Sequence, residues 1–189
     1  MGKARQAAII TGNLRADTGE KKYIEGYFAV FNSRTQLWPG VYEEVSDEAF
    51  NDTMSYDIRA LTNHDTTLVL GRNKSGTAEF KLDSRGLWGK IEINENDLDA
   101  LNLHARVMRG DVDQCSFGFE ILEEEISYLD NGDVLFILKK VELHEVSICT
   151  FPAYPETSVQ ARKKDIDQHK KRVLEIKREQ IRTRLKGGK

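Results

Sequence analysis

Short runs of β-forming residues, each closed off by turn residues before a helix could develop, constrain this chain more than any other feature. Tyr23 to Phe31 has the aromatic and aliphatic content of a strand. Thr77 to Leu82 and Leu87 to Ile93 alternate polar and apolar residues around Asp83-Ser84-Arg85-Gly86, which predicts a β-hairpin. Further strands are expected over Gln114 to Leu122, over Val134 to Lys139, and from Val141 to Cys149. Asn131-Gly132 would sit at the tip of a hairpin whose first arm includes Ile126 and Tyr128. Helical signals are fewer. Ser46-Asp47-Glu48 reads as the start of a short helix with Ala49, Phe50 and Met54 facing the core. Asp97 to Met108 carries Leu98, Leu101, Leu103, Ala105 and Met108 near helical spacing, and Gly110 closes it. Many short strands with two or three helices predict an α+β domain, a closed or nearly closed barrel. The pattern alone does not choose the topology.

Pro152-Ala153-Tyr154-Pro155 ends this body, because prolines so close together cannot sit inside regular structure. Beyond it, Asp165 to Leu185 reads as a long charged helix. Ile166, Val173, Leu174, Ile181 and Leu185 form one stripe, interrupted by Lys170 and Lys177. Charge divides the same way. Residues 162–189 hold 12 Lys/Arg against 4 Asp/Glu, a charge of +8, and the remainder carries −11, for a total of −3. A body over residues 1–161 and a basic helical tail over 162–189 follow, which suits a length of 189 residues. The tail could be a solvated helix packing its stripe, a phosphate contact, or a docking element. It lacks interleaved aromatics for base stacking, so nucleic acid is not expected as a partner.

With 39% hydrophobic and 31% charged residues, one modest core is expected. Cys115 and Cys149 lie in apolar runs and read as buried thiols, and no Cys/His spacing suggests a metal. No apolar run approaches the length of a membrane span. No secretory leader is expected either, since Met1-Gly2-Lys3-Ala4-Arg5 precedes only Ala7-Ala8-Ile9-Ile10, and a reducing cytoplasm suits the chain.

The chemistry-bearing residues lie in three places: Asn63-His64-Asp65, Asp113-Gln114-Cys115-Ser116-Phe117-Gly118-Phe119, and Leu143-His144-Glu145-Val146-Ser147. A serine hydroxyl becomes a useful nucleophile only with a base in reach, and the base is commonly oriented by a third polar group. Ser116, His64 and an acid supply these roles in the chain order His, Ser, acid. Chymotrypsin-like enzymes, subtilisins and α/β-hydrolases use other orders. Gly118 would serve a backbone kink or the close approach of a substrate strand. His104 lies mid-helix and is expected to be solvent-exposed, and His169 belongs to the tail. Asp65 reads as a turn or capping group, since adjacent residues of an extended chain point opposite ways. Strict alternation would put Val141, Leu143 and Glu145 on one face, and Glu142, His144 and Val146 on the other. Glu145 would then lie among apolar neighbours, where a carboxylate needs a specific partner such as an imidazolium.

Six blocks in order carry a family resemblance. They are Gly26-Tyr27-Phe28-Ala29-Val30-Phe31-Asn32, then Tyr42-Glu43-Glu44-Val45-Ser46-Asp47-Glu48-Ala49-Phe50, then Ala60-Leu61-Thr62-Asn63-His64-Asp65 and Val69-Leu70-Gly71-Arg72. Arg109 to Phe119 follows, and Glu145-Val146-Ser147 with Phe151-Pro152-Ala153-Tyr154 closes the series. Over roughly Ala8 to Arg162 the chain resembles the caudovirus prohead (capsid maturation) serine proteases, relatives of the herpesvirus assemblins. The resemblance implies a mainly antiparallel β-barrel wrapped by helices. It implies Ser116 as nucleophile, His64 as base and Glu145 as the acid of the Glu-Val-Ser block. His144 is the runner-up for the third role, because assemblins use a second histidine there. The implied activity is endopeptidase cleavage of scaffold, or of a scaffold-like segment of the major capsid protein, during procapsid maturation of a tailed phage or prophage. Scaffold and major capsid protein would be substrates, a homodimer or higher oligomer is expected, and the site of action would be the procapsid inside the bacterial host cytoplasm. No metal, organic cofactor or membrane is implied. The competing reading is a non-enzymatic assembly or scaffolding module with the same fold.

Overall fold

Strand-forming runs account for nearly every element. The computed structural model describes residues 14–17 and 21–151, the backbone alone of 4–11, and the single residues Glu175, Arg178 and Arg182. In chain order the strands are β1 (Ala4–Thr11), β2 (Arg15–Asp17), β3 (Tyr23–Val30), β4 (Thr35–Trp38), β5 (Val41–Val45), β6 (Arg59–Thr62), β7 (Asp65–Arg72), β8 (Ala78–Leu82) and β9 (Gly86–Glu92). Helix α1 (Leu98–Arg109) follows, then β10 (Gln114–Tyr128) and β11 (Val134–Cys149). One 3-10 turn, Asn73–Ser75, joins β7 to β8. The chain divides into two compact units, Met1–Tyr154 and Pro155–Lys189. The expected tail helix lies outside the described residues, apart from Glu175, Arg178 and Arg182, whose backbones are helical.

Among the described residues the strands form two sheets with no hydrogen-bonded ladder between them, and one α-helix accompanies them. The smaller sheet runs β2-β3-β9-β8 and includes the expected hairpin around Asp83 to Gly86. The larger runs β1-β10-β11-β5-β4. The β10–β11 hairpin is its spine, from Gln114 opposite Cys149 to Tyr128 opposite Val134. Sequence reading divides β11 into two strands; it is one strand of 16 residues. That length lets it take two parallel neighbours end to end, β5 along Val134 to Leu138 and β6 along Glu145 to Ile148. The sheet is therefore mixed.

Helix α1 begins and ends where its sequence signals lie. The Asp97 carboxylate accepts hydrogen bonds from the N–H groups of Asp99 and Ala100, and Gly110 closes the helix at a φ of 82°. Its inner face buries Ala100, Leu103, His104 and Val107. His104 is thus a core residue, not a solvated one, and its Nε2–H donates to the Asp17 carbonyl at 3.1 Å.

The helix expected after Ser46 is instead a chain of turns. Its bonds span three residues, from Ala49 to Ser46, Asn51 to Glu48, Thr53 to Phe50 and Tyr56 to Thr53. The cause is competition. The Ala49 carbonyl accepts from Val141 N–H of β11 at 3.0 Å, and the Thr53 hydroxyl accepts from Leu143 N–H at 2.7 Å. Ala49 and Phe50 are nevertheless buried, as the pattern requires. Phe31, Phe50, Phe117 and Phe119 form a continuous run of ring contacts, with centroids 4.8 to 6.1 Å apart. Together with Phe28, Leu87, Ile91, Leu143, Val146 and Ile148 they make one core.

Candidate active site

His64 sits at the tip of the β6–β7 hairpin. Thr62 pairs with Asp65, leaving Asn63 and His64 as the two central residues, with φ of 51° and 59°. Positive φ at both positions marks a type I′ turn, in which glycine usually takes the second place. A histidine there holds a sparsely populated backbone conformation that the surroundings must enforce. They do so through β11 and the residue that follows it. Asn63 N–H donates to the Ile148 carbonyl at 3.0 Å, Thr150 N–H donates to Asn63 Oδ1 at 2.9 Å, and His64 N–H donates to Ser147 Oγ at 3.1 Å. Asp65 does not support the imidazole. Its Oδ1 accepts from Thr67 N–H at 2.8 Å and from the Thr67 hydroxyl at 2.6 Å, and these bonds hold its carboxyl below the ordinary carboxylate value.

The His64 imidazole meets Glu145, with Nδ1 and Oε1 separated by 2.6 Å. Both side chains are largely withdrawn from water, at 7% and 13% exposure, so the contact is weakly screened. The other carboxylate oxygen, Oε2, accepts from the Ser147 hydroxyl at 2.7 Å. Nε2 of His64 is buried and has no hydrogen-bond partner among the described residues. With Nδ1 protonated towards Glu145, Nε2 is left as the proton-accepting nitrogen.

A β-bulge delivers Glu145 to this place. Gly118 pairs with Glu145 and Phe119 with Leu143, so His144 is an extra residue on β11 with no opposite number. The insertion breaks strict alternation. Leu143 and Val146 both face the core, whereas Glu145 and Ser147 point to the opposite face. The expectation that Leu143 and Glu145 share a face is therefore corrected. His144 is exposed, with its Nδ1 3.9 Å from Glu142 Oε1, and it does not join the His64–Glu145 group.

Ser116 stands directly opposite Ser147 in the β10–β11 register, and Gly118 opposite Glu145. Residues so paired present their side chains to the same face, with Cβ atoms about 4.5–5.5 Å apart. Cys115, Phe117 and Phe119 take the core face. Ser116 is thus on the face of Glu145 and Ser147, and it is buried. Its hydroxyl does not donate to His64 Nε2 in this structure. Gly118 has a use that sequence reading does not supply. A Cβ built there would collide with Glu145 Oε1, so the glycine leaves the space the carboxylate occupies. Ser147 is the other residue missed, although it closes the Glu-Val-Ser block two positions after Glu145.

Cys149 lies on the same face, four residues beyond Glu145. Its thiol is pushed up to about 12, first by burial and then by the negative charge of Glu145. Among the described residues no group of three His, Cys, Asp or Glu side chains is placed to hold a metal ion. Nor is any helix among them long and apolar enough to cross a membrane.

Comparison with known proteins adds three findings. The family model of the caudovirus prohead serine proteases matches residues 11–172. The chain is 29% identical over 154 residues to the prohead protease of Enterobacteria phage HK97, in an alignment covering 77% of this chain and 62% of that protein. It therefore spans less than two thirds of that relative's length. The solved structure of the bacteriophage T4 capsid assembly protease matches 78% of this chain and 96% of its own, with 12% identity and a TM-score of 0.48.

Proposed function

We propose, for a chain that belongs to the caudovirus prohead serine protease family, that it is a serine endopeptidase acting through Ser116, His64 and Glu145. The observation that carries the assignment is the buried contact of 2.6 Å between His64 Nδ1 and Glu145 Oε1, which leaves Nε2 free to accept a proton. The Ser116 hydroxyl attacks the scissile carbonyl while Nε2 takes its proton. Glu145 stabilises the imidazolium so formed and holds the ring in the required tautomer. The imidazolium returns the proton to the leaving amine, and an acyl-enzyme on Ser116 remains. Water, activated by the same imidazole, releases it. Hydrogen bonds between catalytic groups often tighten only when substrate is bound, so the lack of a Ser116–His64 bond in the free protein is compatible with this role.

The substrates would be scaffold, or a scaffold-like segment of the major capsid protein, cleaved inside the procapsid in the host cytoplasm. A homodimer or higher oligomer would be the working form. Co-expression with the cognate capsid and scaffold proteins, followed by mass spectrometry of the products, tests this reading. Discrete internal cleavages that vanish with Ser116→Ala are expected. Intact partners assembled into shells by a folded wild-type protein would favour an assembly module that merely keeps the fold.

A further inference from the structure

We propose that Ser147 is a positioning residue that clamps the Glu145 carboxylate to the histidine hairpin; this rests on the assignment of His64 and Glu145 above. An N–H can only donate, so the bond from His64 N–H makes Ser147 Oγ an acceptor and leaves its single proton for Glu145 Oε2. The second carboxylate oxygen engages His64 Nδ1. The three bonds close a ring: backbone of His64 to Ser147, Ser147 to Glu145, Glu145 to the imidazole of His64. The ring ties the ring nitrogen of one residue to that residue's own backbone through two others.

Two consequences follow. A glutamate side chain has rotamer freedom to lose, and here both oxygens are engaged in the free protein, so that freedom is removed before any substrate arrives. The strained His64 backbone, with φ of 59°, also finds a partner for an N–H that would otherwise be left unsatisfied. Besides the imidazole–Glu145 contact, three bonds among the described residues tie Asn63 and His64 to Ser147, Ile148 and Thr150, and of these the one through Ser147 also reaches the acid. Ser147 is fully buried, so water does not replace it freely. Its hydroxyl touches neither the reacting bond nor Nε2. It acts through Glu145.

The test combines kinetics with a readout that needs no turnover. Ser147→Ala should lower kcat about 10–100-fold with KM unchanged, the scale of losing an outer positioning bond. In a Glu145→Ala background the same change should add nothing, because the clamp then has nothing to hold. In histidine side-chain proton–nitrogen spectra, wild-type protein should show a slowly exchanging His64 Nδ1–H that is lost in Ser147→Ala. Should Ser147→Ala not fold, Ser147→Cys fills the site with a slightly larger, weakly donating group, and the same outcomes are expected. Wild-type kcat with an unchanged resonance, or a double mutant in which the two losses multiply, would overturn the clamp. Continued cleavage by Ser116→Ala would overturn the nucleophile instead, and the resonance would still decide the role of Ser147.

Discussion

Gly118 and Glu145 are opposite neighbours on adjacent strands, and the carboxylate lies where a Cβ of residue 118 would be. A single methyl group there must push Oε1 away from His64 Nδ1. Gly118→Ala should therefore lower kcat by about 100-fold, the scale of a misplacement near 1 Å, while thermal unfolding stays close to wild type. A Gly118→Ala enzyme of normal activity would mean that Glu145 does not orient the base. The buried thiols give a prediction of a different kind. Burial raises both Cys115 and Cys149, and Cys149 moves from an ordinary 9.0 to about 12. The unfolded chain then loses its thiol protons before the folded one does. Stability from these groups is fully present below pH 9 and falls as pH rises from 9 towards about 12. Alkylation by iodoacetamide at pH 8 should spare both cysteines in folded protein and modify both in denaturant.

At the scale of elements, the bulge at His144 decides which face Glu145 takes. His144→Ala keeps the extra residue and removes only an exposed side chain, so activity should be near wild type. Deleting His144 makes Glu145 follow Leu143 directly, so ordinary alternation keeps the carboxylate on the face opposite Leu143, and the folded variant should still cleave. A folded deletion variant that no longer cleaves would mean that the bulge does more than set the facing of Glu145. The same bulge marks the limit of what the sequence discloses. Helix α1 and the β8–β9 hairpin are legible because their signals are local: Asp97 and Gly110 at the helix ends, Asp83 to Gly86 at the turn. Glu145 can be picked out by its Glu-Val-Ser block. Its facing cannot, because one inserted residue shifts the phase of a strand and leaves no mark in composition. The turns after Ser46 escape for a related reason. The carbonyl a helix would need is taken by Val141, more than ninety positions away. The parallel pairing of β5 and β6 with β11 is equally non-local.

For the whole molecule, the contrast between a body of charge −11 and a tail of +8 is the main feature that catalysis does not use. The residues forming both sheets and the His64–Glu145 contact all fall within the unit Met1–Tyr154. A chain ending at Ala161 should therefore stay folded and retain the His64–Glu145 pair, but enter procapsids less well. Sedimentation and circular dichroism check the first outcome, and quantitation of protease per purified procapsid checks the second. Unfolding on truncation would assign the tail to the core. Unchanged incorporation would remove the delivery role.

The central claim is that Ser116 is a nucleophile activated by His64. Reaction with a fluorophosphonate, followed by peptide mapping in a mass spectrometer, addresses it most directly. One adduct per chain is expected, on the peptide bearing Ser116, absent from Ser116→Ala and slowed about 10³-fold or more in His64→Ala, since nucleophile and base act as a unit. Glu145→Gln should slow it less, because it removes the charge but keeps the shape. An adduct on Ser147 or any other residue, or undiminished proteolysis by folded Ser116→Ala, would contradict the account.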